Sequence, residues 1–234
     1  MKILLSESIR KRQKQGLFPV ISEIKVRSKK DGDLLKGRDP RELAREMVTC
    51  PVAAISVVTE PVHFGGDMEL LRDIGGAVDV PVLHKDFITT ERQIAESAES
   101  GASAVLLITG MLSDKQIVRL ISAAKTCGLE TLVEVHDLQE LRRVESLELD
   151  LIGINNRDIK ILECDDTDVG HTEDLARFCR VKKPLISESS IACAGDVRRA
   201  GKSGAHGVLI GTAVMRTKNI TGLLNEMISV GWPI

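Results

Sequence analysis

The sequence predicts an α/β protein built as a closed barrel. Three observations carry this. Eight short apolar runs of strand length recur along the chain, separated by segments with helical periodicity and cap signals. The series is uninterrupted: no linker, low-complexity tract or second domain divides it, so residues 1–234 read as one domain. The length also suits eight strand–helix units. Alternation alone fits an open doubly wound sheet equally. The count of eight and the single series select the (β/α)8, or TIM, barrel.

The elements follow in order. Residues 4–15 form a short amphipathic helix, with Leu5 and Ile9 apolar, a basic tail from Arg10 to Lys14, and Gly16 as its stop. Val20-Ile-Ser-Glu-Ile-Lys25 is the first strand, and a polar loop from Arg27 to Asp33 follows. Asp39-Pro40 supplies an N-cap and a proline at the first helical position, with Leu43 and Met47 on the apolar side. Ala53–Val58 is the second strand, with a helix from Asp67 to Ile74. Val80–Leu83 is the third, with a helix from Thr90 to Ala98 stopped by Gly101.

Ala104–Ile108 is the fourth strand. Its helix opens at Ser113, carries the stripe Ile117, Leu120, Ile121 and Ala124, and ends at Gly128. Thr131–Val135 is the fifth, followed by Asp137 and Glu140 spaced as a capping box with Asp in place of Ser or Thr. Leu151–Ile154 is the sixth, and a long polar loop runs to Thr172. A helix at 173–180 precedes the seventh strand, Pro184–Ser187. Asp196 to Ala200 lies in the next helix, Gly207–Ile210 is the eighth strand, and a helix near Ile220 to Ile228 closes the chain.

Composition narrows the function classes. A formal charge of -2 carries no polyanion-binding signal, so nucleic acid is not expected as a partner, although a local site for a small phosphate remains open. With 2% aromatic residues and no Tyr, the core is mainly aliphatic. Cys50, Cys127, Cys164, Cys179 and Cys193 are odd in number and lack C-x-x-C spacing, which suggests reduced thiols, not a disulfide framework or zinc site. The apolar run near Met1 is too short for a signal segment or membrane span. A cytoplasmic protein with no membrane contact, a monomer or weak homo-oligomer, is expected.

Barrel active sites lie at the C-terminal ends of the strands. Side chains alternate along a strand, so Ile21, Glu23 and Lys25 share one face. Charges there are costly unless paired or used. The other strand ends bring Ser56 and Thr59-Glu60, Lys85-Asp86-Phe87, Glu134 with His136, Asn155-Asn-Arg-Asp158, Ser187-Glu-Ser-Ser190, and Gly211-Thr212. Glu60, Asp86 and Asp158 read as cap or loop residues, His136 as a satisfied hydrogen-bonding residue, and the Asn-Asn-Arg-Asp run also fits turn chemistry. Glu23, Lys25 and Glu134 resist such readings because apolar residues flank them. Two lysines and two glutamates at one mouth suggest general acid–base chemistry. Ser189-Ser190 and Gly211-Thr212 suit a phosphate site after the last two strands.

These residues resemble the indole-3-glycerol phosphate synthase family from about Pro19 to Met215. Six motifs occur in family order at strand ends: Ser22-Glu-Ile-Lys25 with Ser28, Ser56–Glu60 with Phe64-Gly-Gly66, Pro81–Phe87, Leu132–His136, Gly153–Asp158 and Ser187–Ile191. The resemblance implies ring closure, decarboxylation and dehydration of 1-(2-carboxyphenylamino)-1-deoxyribulose 5-phosphate in tryptophan biosynthesis. Lys85 would be the general acid at the carbonyl and Lys25 the second catalytic lysine, also near the phosphate. Glu134 would act as base or stabilise developing positive charge, and Glu23 would position Lys25 and the substrate. Asn155, Glu188 and Ser189 would hold polar groups and Arg157 the anthranilate end, with Phe64 and Phe87 against the ring. Ser28 belongs to the first motif and is expected near the substrate; Ser190, Gly211 and Thr212 would donate to the phosphate. No metal or organic cofactor is implied.

The chain departs from the family pattern in three places. Only 18 residues precede Pro19, a shortened N-terminal extension that implies a reduced or different lid. Val26 replaces an Arg, and Ser28-Lys29-Lys30 replaces Ser-Pro-Ser, so Lys29 or Lys30 is the candidate replacement cation. Ser190 stands where Gly is common, and its backbone can donate if its φ is not strictly positive. The rival readings are another phosphate-binding barrel enzyme, such as phosphoribosylanthranilate isomerase, and a noncatalytic sugar-phosphate-binding paralogue.

Overall fold

The computed structural model describes residues 3–157 and 168–234. The strands, in chain order, are β1 (Val20–Ile24), β2 (Arg27–Ser28), β3 (Gly32–Asp33), β4 (Ala54–Val58), β5 (Val82–Lys85), β6 (Ala104–Ile108), β7 (Glu130–Val135), β8 (Leu151–Asn155), β9 (Leu185–Glu188) and β10 (Gly207–Ile210). All but β2 and β3 pair in parallel with their neighbours, and β10 returns to β1 with Val20 opposite Val208, closing an eight-stranded barrel. Strands β2 and β3 form a small antiparallel hairpin after β1, where only a polar loop was expected.

The helices are α1 (Leu5–Lys14), α2 (Pro40–Met47), α3 (Met68–Gly75), α4 (Glu91–Glu99), α5 (Asp114–Thr126), α6 (Leu138–Val144), α7 (Gly170–Leu175), α8 (Ala194–Lys202), α9 (Thr212–Arg216) and α10 (Ile220–Ile228). Their starts follow cap chemistry. Asp39 accepts from the Arg41 N–H ahead of α2, and Thr90 and Ser113 each form a full capping box with a Gln three residues on. The box expected at α6 is diverted. Asp137 accepts from Glu140 N at 2.8 Å, but the Glu140 carboxylate takes the N–H of His136 at 2.8 Å.

Two elements are displaced from expectation. The third barrel strand begins at Val82 because Pro81 has no N–H to pair, and it runs on to Lys85, opposite Val58. The helix expected at 173–180 starts earlier, at Gly170. Buried Thr172 is fixed there by Asn156 Oδ1, and the segment tightens into a 3-10 turn over Ala176–Phe178. Free thiols are found at Cys50, Cys127, Cys179 and Cys193; Cys164 and Asp158 lie outside the described residues.

The core has two shells. One lies between strands and helices. The other fills the barrel interior with Ile21, Ala54, Leu83, Ala104, Leu106, Leu132, Leu151, Ile186 and Leu209. Helix α1 completes the inner shell from below, its Leu5 and Ile9 fully buried against these residues. Its polar side chains hold the entry ends of the strands: Ser6 donates to Glu130, Ser8 to Ala53 O, Arg12 to Val52 O and Gln13 to His206 O. The short N-terminal segment therefore plugs the barrel floor. An Ile9→Ala variant should lose about 2–5 kcal/mol of stability, the cost of a large-to-small change at a buried aliphatic site. Urea unfolding measures the loss, and kcat at 25 °C should be unchanged because the site is at the opposite end.

Candidate active site

Inward positions two residues apart climb from an apolar floor to a charged mouth. On β1 and the residue after it the order is Ile21, Glu23, then Lys25; on β5, Leu83 then Lys85; on β7, Leu132 then Glu134; on β8, Leu151, Gly153, then Asn155; on β9, Ile186 then Glu188. Glu23, Lys25, Glu134, Asn155 and Glu188 are all buried. Strand pairing places Glu134 opposite Gly153 and Asn155 opposite Glu188.

The charges are arranged in contact. Lys25 Nζ lies 3.6 Å from Glu23 Oε1, and Lys85 Nζ lies 4.0 Å from Glu23 Oε2. Lys25 also stands 5.4 Å from the centre of the Phe64 ring, a cation–π distance. His136 Nε2 approaches Glu134 Oε1 at 3.3 Å. Space for the carboxylates comes from glycines. A Cβ on Gly153 would collide with Glu188 Oε1, and one on Gly211 with Glu23 Oε1. Gly211 is therefore required by Glu23.

Burial raises the pKa of a carboxyl group, and neighbours decide the outcome. At Glu134 burial opposes ionisation, but His136 and Lys85 outweigh it and hold the group below the usual carboxylate range. At Glu188 burial and the nearby charge of Glu134 act together, so its pKa is raised well above that range. The pair is thus split into an anion and an acid that keeps its proton, as expected where two carboxyls take different roles.

Two compartments open above this layer. The polar one is lined by Glu23, Lys25, Ser189, Ser190, Gly211, Thr212 and Arg216; the more apolar one by Val58, Phe64, Phe87, Leu106 and Ile108, with Glu60, Asp86 and Asn155 at its polar side. Lys85 and Arg157 line both. Arg157 Nε donates to Ser190 Oγ at 3.1 Å, and its N–H donates to Asn155 Oδ1 at 3.0 Å. Ser189 and Ser190 both adopt left-handed backbone, with φ of 65° and 58°. Asn156 Nδ2 braces this turn by donating to Glu188 O at 2.9 Å and Ser189 O at 3.1 Å.

A family model for indole-3-glycerol phosphate synthase matches residues 2–227. The chain belongs to this family. It is 45% identical to the indole-3-glycerol phosphate synthase of Pyrococcus furiosus, over 96% of each chain, and 43% identical to that of Thermococcus kodakarensis, over 97% of each. It is also 39% identical to the Staphylococcus aureus (strain USA300 / TCH1516) enzyme, over 92% of this chain and 81% of that one. A solved chain from Aquifex aeolicus shares the fold, with a TM-score of 0.70 at 12% identity over 97% of this chain and 98% of that one. The protein is accordingly an indole-3-glycerol phosphate synthase, a carboxy-lyase of tryptophan biosynthesis.

Of the expected site residues, Glu23, Lys25, Phe64, Lys85, Phe87, Asn155, Arg157, Ser189, Ser190, Gly211 and Thr212 line one or both compartments, Glu134 and Glu188 are fully buried in the barrel wall, and Ser28 lies apart. Ser28 Oγ instead closes the β2–β3 turn with Asp31, outside the lining of either compartment. Lys29 and Lys30 lie in the exposed tip of that turn. Glu60 and Asp86 hold loops, Glu60 through the N–H groups of Val62, His63 and Phe64, and Asp86 through Thr59 and Phe87. Ser190 departs from its expected condition, since its φ is positive. Three contributors went unread in the sequence. Asn156 looked like turn chemistry. Arg216 lies one helical turn beyond Thr212 and lines the same polar compartment. Gly153 is visible only by counting back two residues from Asn155 along the inward face.

Glu188→Gln should raise Tm at pH 8 by about 2–4 °C while reducing turnover. The sign follows from linkage. The unfolded carboxyl ionises near its ordinary value whereas the native one keeps its proton, so wild-type stability falls as pH rises above the unfolded pKa. At pH 4 the gain should shrink towards zero, and paired melts at the two values measure it.

Proposed function

We propose that the substrate of this synthase, 1-(2-carboxyphenylamino)-1-deoxyribulose 5-phosphate, lies across both compartments with its reacting carbonyl at Lys85. The observation that carries this orientation is that Lys85 and Arg157 line both the polar and the apolar compartment. An aromatic ring suits Phe64, Phe87, Leu106 and Ile108. A phosphate suits Lys25, Arg216 and the backbone at Gly211 and Thr212. The substrate carboxylate falls to Arg157, and Asn155 and Ser189 orient the sugar hydroxyls.

Ring closure forms a bond from the aromatic carbon bearing the carboxylate to the carbonyl carbon, while Lys85 donates a proton to the carbonyl oxygen. Positive charge spreads onto the ring nitrogen, and the anionic Glu134 stabilises it. Carbon dioxide then leaves, and the electrons of its bond restore the aromatic ring. Dehydration follows: Lys25 protonates the departing hydroxyl, which leaves as water, and the anionic Glu134 takes the proton lost from the new ring, completing the indole. Glu188, which keeps its proton, donates a hydrogen bond to a substrate oxygen, and Glu23 sets the positions of both lysines. These steps draw on acids and bases that the mouth itself supplies.

We also read the protein as cytoplasmic, and as a monomer or weak homo-oligomer. Among the described residues no helix is long and apolar enough to cross a membrane, and the exposed large apolar side chains, such as Val62, Val118 and Phe178, are spread over separate segments.

Lys85→Ala should lower kcat by roughly 10²–10⁴-fold, the contribution of a positioned general acid, while KM changes little. Fluorescence of indole glycerol phosphate measures both; a wild-type kcat would refute the role given to Lys85.

A further inference from the structure

Glu134 is fully buried, and neither of its oxygens has a hydrogen-bond partner among the described residues. A carboxylate in that position needs a cation to remain charged. Two cations act on it, Lys85 from β5 and His136 from the end of its own strand. They are not equivalent during turnover. When Lys85 gives its proton to the substrate, its charge is gone at the moment positive charge develops on the ring nitrogen. His136 is the cation that remains.

The ring of His136 is held on its far side. Its Nδ1 lies 3.3 Å from Glu140 Oε2 on α6, and the same oxygen accepts the His136 N–H at 2.8 Å. The other Glu140 oxygen packs against Gly110, where a Cβ would come within 2.6 Å. This is why the capping box at α6 does not close on Asp137: the carboxylate is turned towards His136 instead. A solvated cap residue has no need of that geometry.

We propose that His136 is a positioning residue acting through Glu134, the cationic link of a relay Glu140–His136–Glu134 that runs from the start of α6 into the barrel wall. The proposal rests on the role given above to Glu134. Besides its own members on β7 and α6, the charged and titratable groups that face the relay are Lys85 on β5 and Glu188 on β9. Burial opposes the imidazolium, but Glu134 and Glu140 overcome it and raise the His136 pKa to about 10. The ring therefore stays charged throughout the neutral range.

The first test is nitrogen NMR of the 15N-histidine-labelled full chain, with His136 assigned by its loss in His136→Gln. Both ring nitrogens should be protonated at pH 8, and Glu140→Gln should lower the ring's titration by at least about one unit. A His136 that is neutral at pH 8 in the wild type overturns the relay, whatever the variants do.

Kinetics supply the second arm. Glutamine retains a donor near Nε2 without the charge, so His136→Gln separates the two. It should reduce kcat roughly ten-fold, about one pKa unit's worth of free energy. The acid limb of its pH profile should move upward, because Glu134 without its cation ionises at higher pH. In a Glu134→Gln background the same change should add less than about two-fold, since coupled residues are not additive. If Glu134→Gln is inactive and His136→Gln leaves kcat and limb unmoved, or if the two losses multiply, the relay is wrong and the role of Glu134 stands. If Glu134→Gln turns over like wild type, the role of Glu134 fails and the relay fails with it.

Discussion

Everything at the mouth depends on keeping charged groups inside a barrel whose lower interior is packed with aliphatic side chains. Glu23, Lys25, Glu134 and Glu188 are each almost wholly removed from water. Left alone, any of them would cost several kcal/mol. The structure meets that cost by opposing charges, with Glu23 between Lys25 and Lys85 and Glu134 between His136 and Lys85. It also leaves inward positions empty at Gly153 and Gly211 so that the carboxyls fit. At Glu188 burial and the charges of Glu134 and Glu23 outweigh the pull of Lys85 and His136, so it keeps its proton instead. A site assembled this way is already organised for charges that develop during reaction.

The same constraint explains how a short N-terminal segment is used. A barrel needs its floor closed against water, and α1 does so with Leu5 and Ile9. At the mouth, the β2–β3 hairpin occupies the first loop. Arg27, the residue after Val26, donates to Pro61 O and Val62 O on one side, and Asp31 pairs with Arg216 on the other. Arg27 and Arg216 thus tie the first loop to the second loop and to α9, while Lys29 and Lys30 lie at the exposed tip.

What could be read from the sequence was whatever periodicity and spacing express. Strand alternation placed Glu23 and Lys25 on one face and put Lys85, Glu134 and Asn155 at strand ends, and cap residues located most helices. Contacts between distant segments carry no such mark. Nothing near Val26 indicates that Arg216, 190 positions later, stands over the first loop. His136 and Glu140 are one helical turn apart, a spacing that equally describes an ordinary helix start. Only the closed barrel shows that the carboxylate turns back to the imidazole. The β2–β3 hairpin was missed because two-residue strands fall below any usable period.

Ser189 and Ser190 show how such long-range contacts set local backbone. Two consecutive non-glycine residues in the left-handed region cost of order 1 kcal/mol each or more, and nothing in Ser-Ser favours it. The turn persists because both of its ends are tied. Asn156 holds the carbonyls of Glu188 and Ser189, and Arg157 holds the Ser190 hydroxyl. Asn156 is in turn fixed by Thr172, so α7 and β8 jointly impose the geometry. Glycine would adopt the same φ without strain but would offer Arg157 no hydroxyl. Serine at this position exchanges backbone ease for a side-chain tie between the end of β8 and the loop after β9, across which Arg157 reaches both compartments.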